Sequence, residues 1–145
     1  MEPGIQRAYI DANVILRYLT KDPPSLAEAA RKVFADAEKG KVILKIVPLV
    51  VAEVVWVLES FYEYPKDHIA ELLSQILLCD GLDSEDLNRV LEALKLYHEK
   101  NIDFADAFLA VNALDAGPPI ICSFDRHFDR IEGIIRLEPG GKLPA

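Results

Sequence analysis

The chain has 145 residues, with 16 Lys plus Arg against 24 Asp plus Glu, and so a formal net charge of −8. That length suits one domain, and 51% hydrophobic with 28% charged residues supply both a core and a solvated surface, which excludes disorder and low complexity as the main theme. The longest nearly apolar stretch, 46–58, is broken by Glu53 and falls short of the roughly 18 to 20 residues that span a bilayer, so no transmembrane helix is expected.

In chain order, Ala8, Tyr9 and Ile10 lead into Asp11 as a strand into a turn, and Asn13 is placed to cap a short helix built on Val14, Ile15, Leu16, Tyr18 and Leu19. After Asp22, Pro23 and Pro24, Ser25 opens an alanine-rich amphipathic helix that runs to Lys39 and closes at Gly40. The β-branched content of 42–47 predicts a second strand, and Pro48 fits the first turn of a long helix reaching Tyr62, with Pro65 marking its end. Helical spacing of Ile69, Leu72, Leu73, Ile76 and Leu77 predicts a helix over 66–79; Leu87, Val90, Leu91, Leu94 and Tyr97 predict another after Asp80 and Gly81. Asp103 starts a helix through Ala116 that Gly117, Pro118 and Pro119 stop. A short apolar strand, 120–123, then runs toward Asp125, and a last strand, 134–137, precedes Pro139, Gly140 and Gly141. Short apolar strands alternating with helices imply an α/β fold in a single domain, 1–145, with a parallel sheet covered on both faces.

Glu2, Pro3 and the early Asp11 interrupt the amino-terminal stretch where a secretory signal needs a basic start and an apolar run, so a cytoplasmic protein is expected. Cys79 and Cys122 stand in apolar surroundings and read as buried, reduced thiols rather than a disulfide framework. His68, His98 and His127 are scattered, without the paired spacing of a zinc site. Net charge −8 argues against nucleic acid as a partner, with one exception: acids gathered around divalent cations invert the local field and can hold a phosphate there.

The acids that matter are those at strand ends, because ligands of open α/β sheets gather beyond the carboxyl ends of the strands. Asp11 and Asp125 each follow a predicted strand, though a turn or cap acid is the plain reading of either alone. Glu53 has Leu49, Val50, Trp56 and Val57 as its helical neighbours, which predicts a buried carboxylate that pairing or a metal must compensate. Asp103 and Asp106 share one side of a helix's first turn; capping is assigned mainly to Asp103 and chemistry mainly to Asp106. Ser123 supplies a hydroxyl beside Asp125, Asp129 reads as a solvated acid, and His127 reads as a surface residue. Crowded carboxylates require neutralisation, and hard oxygen ligands without Cys or His select Mg²⁺ or Mn²⁺. Such a site suits phosphodiester hydrolysis, in which a cation activates water and offsets charge on phosphorus.

Four stretches taken together, Tyr9-Ile10-Asp11-Ala12-Asn13, Val51-Ala52-Glu53-Val54-Val55, Asp103-Phe104-Ala105-Asp106-Ala107-Phe108-Leu109-Ala110 and Ser123-Phe124-Asp125, resemble the PIN-domain nucleases, and among them the ribonuclease toxins of VapBC-type toxin/antitoxin pairs. The resemblance implies a three-layer α/β/α sandwich with a central parallel sheet. It also implies Mg²⁺- or Mn²⁺-dependent cleavage of single-stranded or loop RNA. Carried over by position, the acidic quartet is Asp11, Glu53, Asp106 and Asp125, with Asn13, Ser123 and Asp103 in support; Ser123 stands where the family often has threonine, which leaves the hydroxyl intact. A homodimer and a cognate antitoxin are the implied partners. Within the same architecture a phosphoacceptor domain needs a lysine after a late strand, where 134–137 offers only Arg136, and an aspartyl phosphohydrolase needs an acid where Asn13 stands. From another class, a non-catalytic PIN-like module that binds RNA or protein is the alternative that an assay separates.

Overall fold

The computed structural model describes residues 4–141; Glu2 and Pro3, which argue against a secretory signal, lie outside them. The first strand, β1 (Gln6–Tyr9), pairs in parallel with β2 (Val42–Ile46), Tyr9 standing opposite Lys45. A short strand, β3 (Leu82–Ser84), pairs in parallel with the other edge of β2, Ser84 opposite Ile46. The central strand alternates as a half-covered sheet should: Leu44 and Ile46 are buried, while Ile43 and Lys45 between and beside them are only partly covered. Helices α1 (Ala12–Thr20) and α2 (Pro24–Glu38) connect β1 to β2, and α3 (Pro48–Ser60) and α4 (Lys66–Leu77) connect β2 to β3. α1 packs on α2 and on α3, and α3 packs on α4.

These elements form one compact unit, which ends at Leu87; a second begins at Asn88. The second unit holds α5, which starts at the boundary (Leu87–Glu99), α6 (Phe104–Ala116), β4 (Ile120–Cys122), a 3₁₀ turn (Arg126–Arg130) and β5 (Ile135–Leu137). β4 and β5 are parallel, with Ile121 opposite Arg136. Every strand pair among the described residues is thus parallel, and the alternation of strand and helix persists in both units, as expected of the α/β class.

Local chemistry explains most boundaries. Pro24 and Pro48 occupy first-turn positions where a missing N–H costs nothing, so α2 begins at Pro24 and not at Ser25. α6 ends at Gly117, whose φ of +68° suits glycine. The strand β3 was not expected, because three residues whose middle member, Asp83, faces solvent carry no periodic signal. Both cysteines are free and exposed, contrary to expectation. Cys79 lies past the end of α4, its thiol donating to the Gln75 carbonyl, and Cys122 alternates on its strand with the buried Ile121. Among the described residues no helix is long and apolar enough to cross a membrane.

One glycine holds the first sheet to α2. Gly81 has φ +83°, its carbonyl accepts from Leu44 N at 2.8 Å, and a Cβ there would run into the backbone carbonyl of Ala37. Because the obstacle is backbone, no rotamer relieves it. Gly81→Ala is expected to cost more than about 2 kcal/mol, from left-handed strain plus displacement of α2, as read by urea denaturation; a loss below about 0.5 kcal/mol would refute the contact.

Candidate active site

Asp11 leaves the first sheet at its carboxyl edge. The preceding Ile10 still donates to the Lys45 carbonyl at 3.0 Å, after which the extended backbone of Asp11 (φ −93°, ψ 171°) turns into α1. Its Oδ1 accepts from Val14 N at 3.1 Å, so Asp11 is the N-cap of α1. Asn13, expected to cap, lies inside the first turn and is exposed. The reason is that helical geometry begins one residue earlier, with Ala12.

Glu53 is exposed, not buried. α3 turns Val51, Val54, Val55 and Leu58 inward, and its other face carries Leu49, Glu53 and Trp56, with Leu49 79% and Trp56 69% exposed. A helix that is apolar almost all round gives no unique inward phase from sequence, and here the phase places the carboxylate in solvent. Desolvation therefore supplies no reason for Glu53 to need a counter-charge. The carboxylate is free to reach a ligand instead.

In the second unit three acids act on one another. Asp103 is at the N-cap position of α6, but its side chain makes no capping bond; only its carbonyl is used, accepting from Ala107 N at 2.8 Å. The capping role expected of the Asp103 carboxylate is thus absent, because that side chain is turned out and exposed. Asp106, in the first turn, is partly buried. Its carboxyl is held above its ordinary value of 3.8, first by desolvation, then by the charges of Asp103 and Asp125, with His127 acting in the opposite sense.

Asp125 lies beyond β4 and caps the 3₁₀ turn, Oδ1 accepting from His127 N at 2.8 Å. Ser123 Oγ accepts from Asp125 N at 2.9 Å, so two successive side-chain bonds set this loop. His127, expected at the surface, is exposed and places Nδ1 3.3 Å from Asp125 Oδ1. The signal was available in the Asp-x-His spacing at a turn, where the capping bond itself folds residue i+2 back on the acid. Asp129, expected to be solvated, is exposed and pairs with Arg136, Nε to Oδ1 at 3.0 Å.

Among the described residues no three or more His, Cys, Asp or Glu side chains close into a preformed metal cage. A hard divalent cation does not need one, since Mg²⁺ keeps several waters and is held by one or two carboxylates together with substrate phosphate. Asp106 and Asp125 have the chemistry for that: oxygen donors only, in each other's field, with a charging cost on Asp106 that a cation would offset.

The raised carboxyl of Asp106 has a definite pH signature. Between 3.8 and its higher folded value the native protein binds the proton more tightly than the unfolded chain, so stability falls as pH rises through that interval and stays reduced above it. In excess chelator, Asp106→Asn should therefore be at least as stable as wild type at pH 7, the difference shrinking as pH falls toward 4 in urea melts. A pH-independent difference would remove the repulsion account. Asp103→Ala, which loses no capping bond, should cost less than the roughly 0.5 to 2 kcal/mol of a true cap.

The family model described as PIN domain matches residues 8–134, a span from the end of β1 to the start of β5 that takes in all seven candidate residues. The chain is also 26% identical over 122 residues to a protein of Aquifex aeolicus (strain VF5) described as a VapC ribonuclease, covering 84% of this chain and 90% of that one. With the family model matching most of its length, and with strands and helices alternating around parallel pairs, this chain belongs to the PIN domain family.

Proposed function

We propose that the protein is a metal-dependent endoribonuclease, the toxin of a toxin/antitoxin pair, acting on RNA in the cytoplasm. The observation that carries the reading is the place of Asp106, partly buried in the first turn of α6, where desolvation first and then the charges of Asp103 and Asp125 push its carboxyl up. A structural acid gains nothing from such an arrangement, whereas a cation-binding acid does. The family membership and the likeness to a protein described as a VapC ribonuclease support RNA as the substrate.

The acids assigned to the reaction are Asp11, Glu53, Asp106 and Asp125, with Asn13, Ser123 and Asp103 in support. A bound Mg²⁺ or Mn²⁺ supplies Lewis-acid activation of water and neutralises charge at phosphorus. Asp125 commits Oδ1 to the His127 amide and keeps Oδ2 for a ligand. Ser123 Oγ uses a lone pair on Asp125 N and retains its proton, which it can donate to a phosphate oxygen. Asp11 likewise gives Oδ1 to Val14 N and keeps Oδ2. In the overall reaction water oxygen bonds to phosphorus, the bond to the 3′ oxygen breaks, and that oxygen takes up a proton.

A partner protein and a second copy of the chain complete the reading. A groove of about 790 Å³, lined by Tyr18 and Leu19 of α1, Ala27 and Arg31 of α2 and Leu72 and Ile76 of α4, suits an antitoxin segment with an apolar face. The exposed Leu49 and Trp56 on α3 suit a homodimer contact.

Purified protein with Mn²⁺ or Mg²⁺ is expected to cut RNA to 5′-phosphate and 3′-hydroxyl ends and to stop in excess chelator. Asp125→Asn should reduce the rate by more than the roughly 10- to 100-fold typical of losing an outer partner of a metal ligand. Cyclic phosphate products, or full activity in chelator, would count against the mechanism, and RNA binding without cleavage would favour a non-catalytic module. For the dimer, equilibrium sedimentation at micromolar concentration should show twice the chain mass, shifting to monomer in Trp56→Glu. A wild-type monomer under those conditions would reject the α3 contact.

A further inference from the structure

Arg136, on β5, is held far more tightly than its neighbours require, with a side chain 13% exposed although Asp129 and Glu138 beside it are 54% and 57% exposed. Its guanidinium spans three groups: Nε lies 3.0 Å from Asp129 Oδ1, Nη1 donates to the Ser123 carbonyl at 3.1 Å, and Nη1 lies 3.7 Å from Glu138 Oε1. Ser123 is thereby held at both of its backbone polar groups, because its own N–H donates to the Leu137 carbonyl at 3.0 Å. From Ser123 the order passes outward through two further bonds, Oγ accepting from Asp125 N and Asp125 Oδ1 accepting from His127 N. Arg136 is the inner end of that series. Asp125 is its outer end.

The placement of charge is as informative as the bonds. A guanidinium one strand from a reactive carboxylate would normally compete for it, since a bidentate arginine pair is among the stronger charge-assisted contacts. Here the cation is satisfied by Asp129 and Glu138, and it meets the loop at a backbone carbonyl. Its charge is spent on acids without a role in the reaction, so Asp125 keeps its own. Only a planar fork reaches a carboxylate and a carbonyl in different directions at once, which lysine does not do.

We infer that Arg136, with Asp129 as its counter-charge, is a positioning residue that holds the Ser123–Asp125 loop in its reactive arrangement without neutralising Asp125; this rests on the nuclease reading for its catalytic consequence. The test compares Arg136→Lys with wild type in single-turnover and steady-state RNA cleavage with Mn²⁺, beside the backbone amide signals of Asp125 and His127 in nitrogen-15 NMR without metal. The expected result is a kcat lower by about tenfold with the KM for RNA within about twofold, and movement of both amide signals, because a small misplacement of a reacting group acts on the chemical step. Unchanged kcat overturns the inference, and so does a fall in kcat with both amides unmoved. Should Arg136→Lys fail to fold, Asp129→Asn frees one arm of the fork and must show the same pattern at smaller size; wild-type behaviour there is equally fatal. If wild-type protein cuts no RNA, the nuclease reading falls by itself. The amide signals then decide alone, moved signals keeping the loop-holding role of Arg136 and unmoved ones removing it.

Discussion

Partial burial raises the cost of charging Asp106 in the first turn of α6, and the charges of Asp103 and Asp125 add to it. Much of the second unit is intelligible as the means of keeping those acids in place despite that repulsion. The first turn of α6 offers unpaired N–H groups and a partial positive charge, which favours a carboxylate at Asp106 by a few tenths to about 1 kcal/mol. The Asp125 loop is fixed by side-chain to backbone bonds, which do not depend on the charge of the acids opposing it. A fold that only needed solubility would let these side chains swing apart.

On the proposed reading, two of the candidate acids serve twice. Asp11 and Asp125 each cap a helical turn with one oxygen, and a carboxylate has a second oxygen with its own lone pairs. Capping orients the side chain at little entropic cost and presents the remaining oxygen in a fixed direction. The plain reading of these residues as caps and the functional reading of them as ligands are therefore the same geometry described from opposite ends. Glu53 and Asp106 work differently, being carried on helices α3 and α6 whose apolar faces set their direction.

What could be read from the residues alone follows the same division. Pro24, Pro48 and Gly117 mark helix ends because their backbone chemistry is local, and the periodic apolar residues of α4 and α5 mark those helices for the same reason. The α/β class followed from that alternation, and the family from the resemblance of four short stretches to the PIN-domain nucleases. Quantities set by tertiary packing did not follow. The phase of α3 was ambiguous because Leu49, Val50, Val51, Val54, Val55, Trp56, Val57 and Leu58 surround the helix, so Glu53 was assigned to the wrong face. Cys79 and Cys122 have apolar neighbours in sequence but stand past a helix end and on the outward side of a strand, and both are exposed. Asp103 shows the limit of a positional rule: it occupies the capping site without making the capping bond.

The arginines of the second unit complete the electrostatic picture. Arg89 joins α5 to α6 through Asp115 and Asn112, Arg130 donates to the carbonyls of Lys100 and Asn101 just ahead of α6, and Arg136 binds Asp129 and the Ser123 carbonyl. Each is engaged by a backbone carbonyl or by an acid outside the candidate set. Among the described residues none of them forms an ion pair with Asp103, Asp106 or Asp125. The charge of these three arginines thus goes into scaffolding, and apart from His127 beside Asp125 the negative field at the acids is left in place for something from outside the chain. A phosphate alone would be repelled by that field, and a cation alone would be drawn to it. On the proposed reading, a chain of net charge −8 takes a polyanionic substrate at these acids only together with the cation.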